Sequence, residues 1–166
     1  VGDKSLSKRD FSRVTEPLKK FGAKFYYKTK NKLPLSILGS SSLKGINYLE
    51  NKGSAQCKSS IMLAALIASG ITSIKAKKSR NHTELLFKYL KIDIKIKKTK
   101  GYDFIDIKQP KKIPAFNYQI PGDISSSAFF IALTTLAEDS TLLIKNVNIN
   151  SSRVGVITIL KKMGAK

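Results

Sequence analysis

Cysteine, histidine and arginine are scarce in this 166-residue chain, and tryptophan is absent. The single cysteine, Cys57, excludes an internal disulfide and a thiolate metal cluster, and reads as a small buried hydrophobe in a reducing setting. The single histidine, His82, stands with no metal partners, so no metal site is expected. No nucleophile keeps company with a histidine and an acid in a recognisable motif, and neither GxxxxGK[ST] nor a dinucleotide glycine fingerprint occurs. No apolar run reaches the roughly 18 residues that span a bilayer, and the N-terminus lacks the charged-then-apolar order of an export signal. The expectation is therefore a cytoplasmic protein with no membrane partner.

Acidic residues are also few. Thirty-one Lys and Arg face 11 Asp and Glu, a formal net charge of +20. Such an excess first suggests nucleic acid. Only four of the bases are arginines (Arg9, Arg13, Arg80 and Arg153), whereas phosphate and base readout lean on arginine as well as lysine. The lysines are spread among isoleucines and asparagines, as on a solvated surface. No nucleic acid partner is expected, although the positive field steers small anions toward the protein.

What is present is a core-forming composition, 42% hydrophobic, enough for one domain or parts of two. It is arranged in repeats. Leu18-Lys19-Lys20-Phe21-Gly22-Ala23-Lys24 returns as Leu160-Lys161-Lys162-Met163-Gly164-Ala165-Lys166, and Phe87-Lys88-Tyr89-Leu90-Lys91-Ile92-Asp93 stands between them. The spacing is roughly 70 residues, right for a small α/β unit and long for a solenoid. Residues 57–69 read as a helix apolar nearly all round, ended by Gly70. A strand at 71–76, an amphipathic helix at 83–90 and strands at 92–97 and 102–108 follow. A second round begins with a buried helix at 125–137, a strand at 141–147 and an outer helix at 153–163. Short strands are expected at 25–27, 35–38 and 46–49. The class is α/β (α+β) with a βαβαββ repeat, and Pro114 and Pro121 place a boundary near residue 120. With no initiator Met and a last helix stopping at Gly164, the chain is expected to be cut at both ends.

Candidate chemistry gathers at helix starts. Gly53-Ser54-Ala55-Gln56 precedes an apolar helix whose free N–H groups and partial positive charge suit an anion, although Ser54 also reads as an ordinary N-cap. Lys58 in that first turn opposes the helix dipole unless an anion or an acid lies close. Ser79-Arg80-Asn81-His82-Thr83-Glu84 opens the next helix, with Arg80 able to grip phosphate in two places. Arg9 is either a phosphate or carboxylate clamp or a surface arginine paired with Asp10. Pro121-Gly122-Asp123 before Ser125-Ser126-Ser127 repeats the pattern, with Asp123 as cap or hinge.

The ordered series Gly2-Asp3-Lys4-Ser5-Leu6-Ser7-Lys8-Arg9, Leu43-Lys44-Gly45, Ser54-Ala55-Gln56-Cys57-Lys58-Ser59, Ser79 through Glu84, Pro121 through Ser126 and Asn146 through Gly155 resembles 5-enolpyruvylshikimate-3-phosphate (EPSP) synthase over essentially the whole chain. The Ser-Ala-Gln variant followed by Lys-Ser is more similar to the bacterial class associated with glyphosate tolerance. The resemblance implies two lobes, each of three βαβαββ units, with helix N-termini facing the cleft between them. Residues 1–120 would be the latter part of the N-terminal lobe and residues 121–166 the first unit of the other. It implies transfer of the enolpyruvyl group of phosphoenolpyruvate to the 5-hydroxyl of shikimate 3-phosphate, with no cofactor, in a cytoplasmic enzyme that is a monomer when complete. Arg9 would grip phosphoenolpyruvate; Ser54, Ala55 and Arg80 would hold shikimate 3-phosphate, and Gln56 would lie against the substrates. Lys58 and Asp123 stand as further candidates. The catalytic acids would lie outside this chain, so the fragment alone is expected to be inactive. Asp10 stands where the family usually has proline, Asn81 where it has aspartate, and Lys91-Ile92 where a glycine-containing helix end is usual. Two alternatives remain: the sister transferase acting on UDP-N-acetylglucosamine, which needs a reactive loop cysteine, and a basic RNA-binding α/β module, which needs exposed aromatics on a sheet.

Overall fold

A computed structural model describes residues 3–165; Gly2 and Lys166, the outer residues of two of the quoted motifs, lie outside the described residues. The chain divides into two compact units, Val1–Pro114 and Ala115–Lys166, described separately below.

In the first unit, a 3-10 turn Leu6–Lys8 leads to α1 (Ser12–Lys20), and β1 (Lys24–Tyr27) pairs antiparallel with β2 (Leu35–Leu38). The rest follows the order β3 (Asn47–Glu50), α2 (Ala55–Ala65), β4 (Ile71–Lys77), α3 (His82–Tyr89), β5 (Ile94–Lys98), β6 (Tyr102–Lys108), the βαβαββ plan read from the sequence. The strands form one sheet in the spatial order β3-β4-β6-β5, with β3 and β4 parallel and the other pairs antiparallel. Strand alternation decides which face is buried. Thr72, Ile74 and Ala76 of β4 and Asp103, Ile105 and Ile107 of β6 point inward, with Ile74 opposite Ile105. Ile61, Met62 and Ala65 of α2, together with Phe87 of α3, complete this core. Each buried isoleucine or phenylalanine there contributes about 2 kcal/mol through apolar area withdrawn from water.

The sequence reads residues 57–69 as a buried helix, apolar nearly all round and ended by Gly70. The helix begins at Ala55 and ends at Ala65, and Leu63 is 54% exposed. The reason is that α2 packs on the sheet with one face only, and residues 66–69 turn away so that Ser69 can bridge in parallel to Lys44.

The three repeated motifs turn out to be one structural device. The N–H of Ala23 reaches the carbonyl of Leu18, that of Ile92 reaches Phe87, and that of Ala165 reaches Leu160, each closing a helix with a backward bond across five residues. The residue that swings to positive φ is Gly22 (107°), Lys91 (55°) and Gly164 (100°) respectively. Lys91 therefore adopts, with a side chain, the left-handed conformation that glycine adopts freely, at a cost of roughly 1–2 kcal/mol. This also delays the next strand from the expected residue 92 to Ile94.

The second unit holds α4 (Ile124–Leu136) and α5 (Gly155–Lys162). Two expectations need correction here. Residues 141–147 form no strand; the sole sheet-like feature is a parallel bridge between Gly122 and Val147, because a strand exists only by pairing and no described neighbour runs beside 141–146. Nor is α4 buried: Phe129 is 79% exposed, and Phe130, Leu133 and Leu136 also face out. An apolar helix is buried only when another layer covers it, and nothing among the described residues of this unit does so.

Candidate functional site

The chain leaves β3 at Glu50 and reaches α2 through four residues, 51–54. Glu50 holds that turn. The residue is 2% exposed, and its carboxylate accepts the N–H groups of Lys52 (3.0 Å), Gly53 (3.0 Å) and Ser54 (3.1 Å). Gly53 sits at φ 68°, a left-handed conformation that glycine adopts without strain. Ser54 then caps α2, its hydroxyl accepting the Cys57 N–H at 3.2 Å. Ser54 is thus an N-cap, as its sequence context allowed. The Ala55 and Gln56 N–H groups lie in the first turn, where helix geometry offers no intrahelical acceptor.

Ala55, Gln56, Ser59, Arg80 and His82 line one open depression of about 420 Å³. It is built from the first turn of α2 and the start of α3. The two helix starts are tied together by a hydrogen bond between the hydroxyls of Ser59 and Thr83 (2.7 Å) and by a Lys58–Glu84 ion pair (2.5 Å). Of the residues singled out in the sequence, Ala55, Gln56 and Arg80 therefore meet at one place, with Ser54 capping the helix beside it. Arg80 is exposed, and its guanidinium is a donor fork suited to an oxyanion.

Three candidates stand elsewhere. Lys58 does not line the depression: its side chain is fully buried and its ammonium meets Glu84, the acid that a lysine in a first helical turn calls for. Arg9 is exposed at the end of the Leu6–Lys8 turn and is not among the lining residues. Beside it, Asp10 accepts the Ser12 N–H at 2.6 Å at the start of α1, and hydrogen bonds from Ser12 hold its carboxyl below the usual range. Asp123 caps α4 in the second unit. It accepts the Ser125 N–H at 3.1 Å and meets Arg153 at 2.9 Å; the Ser125 bond, with Arg153 second, holds its carboxyl below the ordinary value.

Sequence reasoning missed Glu50, Ser59 and Thr83. Ser59 and Thr83 lay inside motifs already singled out, but nothing linear says that residues 24 apart share a hydrogen bond. Glu50 could have been suspected from its position four residues before an N-cap serine.

Cys57 is 4% exposed on the sheet side of α2, and burial pushes its thiol up from the ordinary value. Nearby Tyr48 is pushed up to about 12 by burial as well. A thiol so placed is not a loop nucleophile. Under native conditions at pH 8, Cys57 should react with a disulfide reagent at least about tenfold more slowly than in urea, because the thiolate is disfavoured and access needs local opening. Equal rates in the two conditions would contradict the burial.

The family model for EPSP synthase (3-phosphoshikimate 1-carboxyvinyltransferase) matches residues 1–166. The chain belongs to the EPSP synthase family. It is 42% identical over 168 residues to the 3-phosphoshikimate 1-carboxyvinyltransferase of Bacillus subtilis strain 168, covering 100% of this chain and 38% of that protein. The same enzyme of Caldicellulosiruptor saccharolyticus is 43% identical over 166 residues, 99% of this chain and 38% of the relative. Among solved structures, EPSP synthase from Acinetobacter baumannii superposes with a TM-score of 0.80 at 40% identity, covering 99% of this chain and 37% of that one. The enolpyruvyl transferase NikO from Streptomyces tendae shares the fold, at a TM-score of 0.64 and 17% identity over 96% of this chain and 40% of its own. The chain thus spans somewhat over a third of the length of these EPSP synthases.

Proposed function

We propose that this chain is part of an enzyme that transfers the enolpyruvyl group of phosphoenolpyruvate to the 5-hydroxyl of shikimate 3-phosphate, releasing phosphate, in aromatic amino-acid biosynthesis. The observation that carries this reading, beside family membership, is the meeting of Ala55, Gln56 and Arg80 in one depression at two helix starts. Both substrates are polyanions, and a site made of helix N–H donors and a guanidinium offsets their repulsion while fixing their orientation. Ser54 sets the helix start, Ala55 and Gln56 offer first-turn donors, and Arg80 takes the 3-phosphate; Arg9 serves phosphoenolpyruvate. Residues 1–120 belong to one lobe and residues 121–166 begin the other, with Asp123 fixing a second helix start by its cap. The full-length enzyme works as a cytoplasmic monomer without a cofactor, and the piece alone is inactive. No helix among the described residues is long and apolar enough to cross a membrane.

Nucleic acid has no part in this reading.

The test is steady-state kinetics on the full-length protein, each substrate varied in turn. Arg80→Ala should weaken shikimate 3-phosphate binding by roughly 1.5–3 kcal/mol, the scale of a charge-assisted hydrogen bond. Arg9→Ala should act mainly on phosphoenolpyruvate saturation and turnover. Wild-type constants in both variants would sink the residue assignments, and an inactive wild-type enzyme would sink the function.

A further inference from the structure

The Lys58–Glu84 pair is an expensive way to join two helices. The side chains are 0% and 5% exposed, so both ions have left water. Beyond Glu84 Oε1, Lys58 Nζ has no hydrogen-bond acceptor among the described residues, and Glu84 Oε2 has no donor. A pair this sparsely supported recovers its desolvation poorly, and two apolar side chains of similar volume would hold the core as well or better. Its location offers a different account. Lys58 lies in the first turn of α2, between Gln56 and Ser59; Glu84 lies in the first turn of α3, two residues after His82. These neighbours line the depression. An apolar contact tolerates sliding of one helix along the other, whereas a point contact between charges, with the Ser59–Thr83 bond beside it, fixes the register of the two helix starts.

We infer that Lys58 and Glu84 are positioning residues, which hold the α2 donors and Arg80 at the separation that the phosphorylated substrate requires. The inference rests on the proposed shikimate 3-phosphate site. Neither residue touches the substrate; they act through Gln56 and Arg80.

The test uses the full-length protein and the double variant K58M/E84L, which removes both charges while keeping the core filled. A merely structural pair would leave kinetics untouched once folding is preserved. The expected result is a melting temperature equal to or above wild type, with KM for shikimate 3-phosphate raised roughly tenfold or more, as ångström-scale misplacement of binding groups does, and KM for phosphoenolpyruvate changed far less. A crystal structure of the variant should show a changed separation between Gln56 and Arg80. Should the double variant not fold, Glu84→Gln, of the same shape and without the charge, decides by the same constants. Wild-type KM values together with an unchanged Gln56–Arg80 separation would overturn the inference. If the wild-type enzyme itself were inactive toward shikimate 3-phosphate, the functional reading would fall, and the positioning role would stand or fall on the crystallographic separation alone.

Discussion

Lys58→Met should destabilise the full-length protein by about 3–5 kcal/mol, the usual consequence of removing one member of a buried ion pair. Methionine keeps most of the lysine stem's volume, so the core formed with Ile61, Met62 and Phe87 stays filled and the loss reports the charge rather than a cavity. What remains is Glu84, 4% exposed as a residue and deprived of its counter-ion in a site with little water. The measurement is urea unfolding, comparing midpoints and slopes of the two proteins. A midpoint within error of wild type would mean that Glu84 finds solvent or another partner, and that the helices are not locked by this contact.

Gly45→Ala should cost about 3 kcal/mol, for a steric reason of backbone against backbone. Residues 43–46 run alongside 69–73: the Ser69 N–H reaches the Leu43 carbonyl at 2.9 Å, the Gly45 N–H reaches Ser69 at 2.7 Å, and the Ser73 N–H reaches Ile46 at 2.9 Å. A Cβ on Gly45 would lie 2.2 Å from the Ile71 carbonyl oxygen and 2.6 Å from its carbon, closer than any real contact. No side-chain rotation relieves that clash, so the two segments must separate and these bonds weaken, each worth about 1 kcal/mol. Because the strained segment leads directly into β3 and its pairing with β4, loss of midpoint should be accompanied by faster hydrogen exchange of the β4 amides. Unchanged exchange there, with an unchanged midpoint, would show that the strands can shift apart without loss.

Much of this was legible in the linear sequence because it depends on local periodicity and local chemistry. The alternation in 71–76 and 102–108 marks two strands that pair with each other, and the helix stops at Gly22 and Gly164 need only a residue content with positive φ. Ser54 and Asp123 cap helices through bonds that span two or three residues. The grouping of Ala55, Gln56 and Arg80 was anticipated only by the order of motifs and by resemblance, since helix starts far apart in sequence meet through the β3-α2-β4-α3 crossover.

Tertiary structure alone decided the rest. Whether Lys58 turns to a ligand or to an acid depends on where α3 lies against α2, and Glu84 took it. Whether Leu63, Phe129 and Phe130 are buried depends on what covers them rather than on their own hydrophobicity. Residues 141–147 read as a strand in the sequence but find no strand partner among the described residues, and a strand, unlike a helix, satisfies its backbone only through another segment.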